Sequence, residues 1–150
     1  MCAILLFLHD CCCNSISHLY HCNGFCIVPT ARVIGVEPVG AASMRKALDE
    51  ERPVVIKQID TIADGLAPVM AGELTYEHAF SLMDDVVTVS DDAIQEATSL
   101  LVSKQKLIVE FSGAAATAAL ISKAVEAQDA RVAIVISGGN LDSTLVAGVA

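Results

Sequence analysis

Between residues 31 and 140 the chain alternates short, nearly unbroken apolar runs with longer stretches whose apolar positions recur at helical spacing. Short β-branched runs read as strands covered on both faces, and the recurring spacing reads as helices packed on them. The pattern predicts strands over residues 31–37, 84–90 and 107–110, and a last one through Val132-Ala-Ile-Val-Ile-Ser-Gly-Gly-Asn140. A further short strand is expected over 54–59. Helices are expected over 41–51, from 72 to 83, from 91 to about 106 and from 112 to about 128. Pro38 marks the exit of the first strand, because proline has no N–H for the ladder. Pro53 stops the first helix. Thr75 and Ser90 are candidate N-caps, and Asp91 and Asp92 follow Ser90 where the helix dipole favours anions. Such alternation of strands and helices predicts an α/β domain of three layers, αβα, with a mostly parallel sheet.

The last strand runs straight into a hydroxyl, two glycines and an amide. In open α/β sheets ligands bind beyond the carboxyl ends of strands. Glycines there let a ligand approach the backbone. Ser137 and Asn140 are therefore the first polar candidates for a site, against the plainer reading of a buried strand ending in a glycine turn.

Composition narrows the picture. A chain of 150 residues suits one domain with a real core. Hydrophobic residues make up 54%, yet no apolar run approaches the roughly 20 residues of a membrane span. A formal charge of −9, with no Lys/Arg cluster, argues against a nucleic-acid surface. All six cysteines lie between Cys2 and Cys26, and Asp10 is the only acidic or basic side chain, histidines aside, before Arg32. This contrast predicts a boundary near residues 28–32, with 1–30 outside the fold and 31–150 forming the domain. Residues 3–8 are too short, and lack the positive flank, for a signal peptide. Cys11, Cys12, Cys13, Cys22 and Cys26 with His18 and His21 fit no paired Cys-x-x-Cys spacing. Metal binding, disulfides and no chemical role all stay open for them, disulfides only in an oxidising compartment.

Six segments then occur in a fixed order. They are Val33-Ile-Gly-Val-Glu-Pro, Thr61-Ile-Ala-Asp-Gly-Leu-Ala, Gly72-Glu-Leu-Thr, Asp84-Asp-Val-Val-Thr-Val-Ser, Lys106-Leu-Ile-Val-Glu and Val135-Ile-Ser-Gly-Gly-Asn. Together, over residues 31–142, they resemble the latter part of the catalytic domain of threonine dehydratases and serine racemases, pyridoxal-phosphate enzymes of fold type II. The resemblance implies an incomplete copy of the tryptophan synthase β-like fold. It implies pyridoxal phosphate as cofactor and L-threonine or L-serine as substrate. The implied reaction is β-elimination to a 2-oxo acid and ammonia, or alternatively serine racemisation.

It also implies roles. Ser137 would face the pyridine nitrogen, with Gly138 and Asn140 in the same motif. Gly65 would lie beside the cofactor ring and Glu110 at its edge. A neutral hydroxyl does not hold the ring nitrogen protonated as an aspartate would, so the electron sink is milder. Phe111 stands where the family usually has proline. Glu37 and the Ala41 carbonyl resemble ligands of a divalent Mg or Ca ion. Ser43, however, replaces the family's second carboxylate, which costs such a site charge and affinity. The family's glycine-rich phosphate loop is replaced by His21-Cys-Asn-Gly-Phe-Cys-Ile-Val-Pro, and no lysine precedes Lys46 to form the Schiff base. The expectation is an incomplete copy, inactive alone, with non-homologous sequence over residues 1–30. Its expected partners are its own kind or a full-length relative, in the cytoplasm.

Overall fold

The computed structural model describes the backbone of residues 3–8 and the whole of residues 31–140. Four strands form one sheet: β1 (Ala3–Leu8), β2 (Arg32–Pro38), β3 (Asp85–Val89) and β4 (Arg131–Ile134), in the order β3-β2-β1-β4. β2 and β3 are parallel, with Gly35 opposite Val86 and Val36 opposite Val87. β1 is antiparallel to β2 on one side and to β4 on the other. It follows that β2, β3 and β4 share one direction. Four helices accompany them: α1 (Ser43–Asp49), α2 (Glu73–Leu82), α3 (Asp91–Leu100) and α4 (Phe111–Ile121).

The apolar runs explain the layering. Every residue of β2 after Arg32 is buried, as a strand covered on both faces requires. On one face Ile34 and Val36 pack with Ile94, Ala97 and Leu101 of the α3 region and with the alanines of α4. On the other face Val86 packs with Met44 and Ala47 of α1 and Ala79 of α2. The predicted three-layer α/β arrangement is therefore present. α4 lies against the sheet through Ala114, Ala115, Ala116, Ala118 and Ala119, all fully buried. Side chains this small let the helix axis approach the strands closely, at native packing density.

Local chemistry sets the boundaries. Ser90 caps α3 as expected, its Oγ accepting the Ala93 N–H at 3.3 Å. α3 continues into a π turn, Leu101–Gln105, and stops at Lys106, which adopts φ 59°. α4 stops at Ile121, short of the predicted residue 128. Lys123, at φ 58°, turns the chain back so that its N–H meets the Leu120 carbonyl. The cap before α2 is Gly72, not Thr75, which lies inside the first turn.

Three expectations are corrected. Residues 54–59 form no strand; the Ile56 N–H donates to the Val69 carbonyl at 2.8 Å, so two loop segments satisfy each other away from the sheet. Residues 107–110 are not a ladder strand; the Glu110 N–H donates to the Gly138 carbonyl on the last strand's extension. The contrast in composition placed residues 1–30 outside the fold, but Ala3–Leu8 is the strand that joins β2 to β4. Composition registers charge and cysteine content, whereas membership of a sheet is decided by backbone N–H and C=O groups that need partners. The cysteines and histidines of residues 9–30, and the tail from 141, lie outside the described residues. Among the described residues no helix is long and apolar enough to cross a membrane.

Substituting Ser90→Ala should cost about 1 kcal/mol through loss of the cap. Ile94→Ala, at a fully buried position, should cost about 2–5 kcal/mol. Urea unfolding at an unchanged denaturant slope checks both.

Candidate functional site

Glu110 ends the extended 107–110 segment and caps α4. Its carbonyl accepts the N–H groups of Gly113 and Ala114 at 3.0 and 3.2 Å, and its own N–H donates to the Gly138 carbonyl at 3.2 Å. One side-chain oxygen, Oε2, accepts the Asn140 N–H at 3.3 Å. The other, Oε1, faces Gly138 and Gly65. One half-buried carboxylate thus touches three segments distant in sequence: the Asp64–Leu66 turn, the start of α4 and the Ser-Gly-Gly-Asn turn. A carboxylate suits this place because the N-terminus of a helix carries partial positive charge.

The glycines make the convergence sterically possible. Gly138 has φ 79°, in the left-handed region that L side chains avoid, and a Cβ there would collide with the Glu110 carboxylate. A Cβ on Gly113 would collide with the Ser137 carbonyl, so its absence brings α4 up to the end of the last strand. At Gly65 a Cβ would sit 2.9 Å from the Ser112 Oγ and 3.5 Å from Glu110 Oε1. The structure therefore brings Gly65, Glu110, Gly138 and Asn140 together. Ser137 is exposed beside them, beyond the carboxyl end of β4.

Two residues of this site were not singled out from the sequence. The Ser112 Oγ is buried beside Gly65 and has no hydrogen-bond partner among the described residues. Orphaned buried hydroxyls are uncommon and mark strained or functional places. Asp91, in the first turn of α3, accepts the Thr61 hydroxyl at 2.7 Å and the Ile62 N–H at 3.0 Å. The Thr61 oxygen in turn accepts the Ala63 N–H at 3.1 Å. Asp91 so holds the loop that carries Gly65. A Ser two places after a carboxylate was visible as a sequence signal for Ser112. Nothing in the sequence ties Asp91 to a loop thirty residues earlier.

Glu37 has a different use from the one expected. It is fully buried at the end of β2. Its two oxygens accept the Met44 N–H at 3.0 and 3.1 Å, and Oε2 also accepts the Arg45 N–H at 2.8 Å. Helix α1 has no side-chain cap at its own N-cap residue, Ala42, and Glu37 supplies it from seven residues before Met44. The resemblance assigns Glu37 and Ala41 to a Mg or Ca site, and in this structure both are engaged in the start of α1 and the turn before it. Both oxygens face amide donors, Ala41 is buried in the Val39–Ala41 turn, and position 43 is a serine. Among the described residues no group of three His, Cys, Asp or Glu side chains could hold a metal ion.

Comparison with known proteins identifies the family of the chain. Residues 21–138 match the model of the family described as "Pyridoxal-phosphate dependent enzyme". Threonine dehydratase 2 biosynthetic, chloroplastic, of Solanum lycopersicum is 36% identical over 118 residues, covering 77% of this chain and 20% of that protein. The L-threonine ammonia-lyase of Thermotoga maritima is 35% identical over 118 residues, covering 79% of this chain and 29% of that protein. The structure of maize serine racemase matches with a TM-score of 0.75 at 32% identity, over 83% of this chain and 40% of that one. The processed form of threonine deaminase isoform 2 from Solanum lycopersicum matches with a TM-score of 0.74 at 34% identity, over 84% of this chain and 38% of that one. The chain belongs to the pyridoxal-phosphate dependent enzyme family, and it spans well under half the length of these relatives. Its residues fit part of such a cofactor's surroundings: glycines stand where any Cβ would fill the space before Glu110, and the Ser112 hydroxyl is left unpaired.

Gly138→Ala should destabilise the chain by about 1–3 kcal/mol, through the left-handed backbone and the clash with Glu110. Adding Glu110→Ala should recover the clash and leave the backbone cost of about 1–2 kcal/mol. A double-mutant cycle by thermal unfolding reads that coupling, and strictly additive losses would refute the contact. Glu37→Ala removes a buried acceptor of two helix N–H groups and should cost roughly 2–4 kcal/mol. Amide exchange across α1 should rise in that variant ahead of β3.

Proposed function

We propose that this chain supplies one wall of a pyridoxal-phosphate site for β-elimination on L-threonine or L-serine, giving a 2-oxo acid and ammonia. The observation that carries this reading is the Glu110 carboxylate meeting Gly65, Gly138 and the Asn140 N–H at the carboxyl end of the sheet. Relatives named as threonine dehydratase, L-threonine ammonia-lyase and serine racemase support the substrate class. When bound, pyridoxal phosphate supplies an electron sink for the pair released at the substrate's α-carbon.

The chain's own residues then have distinct tasks. Ser137, exposed beyond the end of the last strand, would offer its hydroxyl to the ring nitrogen of a bound cofactor. Glu110 holds the turn that carries Ser137, through the Asn140 N–H and the Gly138 carbonyl. Asp91 holds the Thr61 loop, and so would keep Gly65 in place beside a bound cofactor. Gly65 and Gly138 keep the space before Glu110 clear of side chains. The covalent anchor is not among these residues, since no lysine precedes Lys46. We assign it to a segment outside this chain.

A second reading, a non-catalytic module that pairs with a full-length relative, is favoured by one observation. Leu107, Ile108, Val135 and Ile136 are exposed on the two segments that lead into the site. Apolar side chains clustered next to a site suit a covering polypeptide.

Purified 150-residue chain, incubated with pyridoxal phosphate and L-threonine or L-serine, should yield no 2-oxo acid above the cofactor-only control. Turnover that depends on the cofactor and is abolished by Ser137→Ala would show that the chain is a complete enzyme. Co-sedimentation with a full-length relative supports the pairing reading, and a monomer that ignores that relative contradicts it.

A further inference from the structure

We propose that the space between β2 and β4 is a strand-accepting site, and that Ala3–Leu8 is the chain's own occupant of it. The residues on either side are fixed by register. Leu5 lies between Ile34 and Ile134, Leu6 between Val33 and Ala133, and Phe7 between Arg32 and Val132. Neighbouring strands lie about 4.8 Å apart, so without β1 the two edges would face each other across roughly 9.6 Å, the width of one missing strand.

Two independent observations set β1 apart from its neighbours. It lies outside residues 21–138, the part of the chain that matches the family, whereas β2, β3 and β4 all lie within it. It also runs against the common direction of those three strands. β1 is thus set apart by its position outside the matched residues and by its direction, and among the described strands it is the one that pairs with β4. Backbone groups carry the pairing, and they are indifferent to sequence. The site therefore fits any extended apolar segment of about six residues, the mode of recognition in which a strand is added to a sheet edge.

The consequence reaches the functional site. β4 leads through Val135 and Ile136 to Ser137 and the Gly138–Asn140 turn. A four-residue strand with no partner in the sheet is not stable by itself. Occupancy of the slot by β1 therefore sets the order of β4, and with it the position of the turn that meets Glu110. This inference rests on backbone pairings alone and does not depend on the cofactor reading.

The test uses the full chain. In isotope-labelled wild-type protein, nuclear Overhauser contacts from Leu5 and Leu6 should reach both Val33–Ile34 and Ala133–Ile134; contacts to one side only, or to neither, overturn the proposal. Leu6→Pro removes an N–H in mid-strand and adds ring bulk. It should speed amide exchange in Arg131–Ile134 at least tenfold and leave β3 unchanged, while unchanged exchange in β4 would overturn the proposal. A peptide of the Ala3–Leu8 sequence with lysines added at its C-terminus, supplied to the Leu6→Pro chain, should slow β4 exchange again. Failure to do so contradicts a site that accepts a strand in trans. If the variant unfolds throughout, the wild-type contacts decide.

Discussion

The two-sided burial of β2 is the constraint on which the structure depends. Its even positions, Ile34 and Val36, are covered by α3 and α4, and from its other side Glu37 reaches the start of α1. A strand covered on both faces can hold a charged side chain only if that charge is fully hydrogen-bonded. Glu37 meets the condition by taking the first free N–H groups of α1 onto both of its oxygens. The same carboxylate completes the helix and fixes where the chain leaves the sheet. Burial of the strand, capping of the helix and direction of the exit are one interaction seen from three sides.

The site follows from a parallel arrangement on the other face of the sheet. α4 is so rich in alanine that it lies close to the strands, and Gly113 lets its first turn meet the Ser137 carbonyl. That close approach brings Glu110 within reach of Gly138, Asn140 and Gly65. Two carboxylates, Glu37 and Glu110, thus stand at strand or segment ends next to helix N-termini. Glu37 spends both oxygens on the helix and is left with a structural task. Glu110 caps with its carbonyl instead, and its side chain remains free to organise a turn.

Much of this was legible in the sequence because it is local. The β-branched runs at 31–37 and 84–90, the Ser90 cap and the acidic first turn of α3 each announce themselves within a few residues. The fixed order of six segments pointed to the family, and four of the five expected cofactor-side residues converge. What was illegible depends on partners far along the chain. Residues 54–59 have the composition of a strand, but the Ile56 N–H is taken by the Val69 carbonyl of another loop. The hold of Glu37 on the Met44 and Arg45 amides is seven and eight residues away and could not be read from its neighbours. Asp91 read as a helix-dipole residue, and only its reach to Thr61 shows it holding the loop of Gly65. Ala3–Leu8 sits in a segment whose cysteines and lack of charge set it apart, and its place in the sheet comes from the needs of β2 and β4.

The central claim is that Gly65, Glu110 and the Ser137–Asn140 turn form one wall of a site for a phosphorylated pyridine. The most direct test is a titration of the isotope-labelled full chain with pyridoxine 5′-phosphate, which lacks the aldehyde and cannot react with surface lysines. Amide shifts should saturate and be confined to Gly65, Phe111, Ser112 and Gly138–Asn140, and should vanish in Ser137→Ala. Absence of shifts at these positions, or shifts confined to the face around Arg45 and Lys46, would contradict the account.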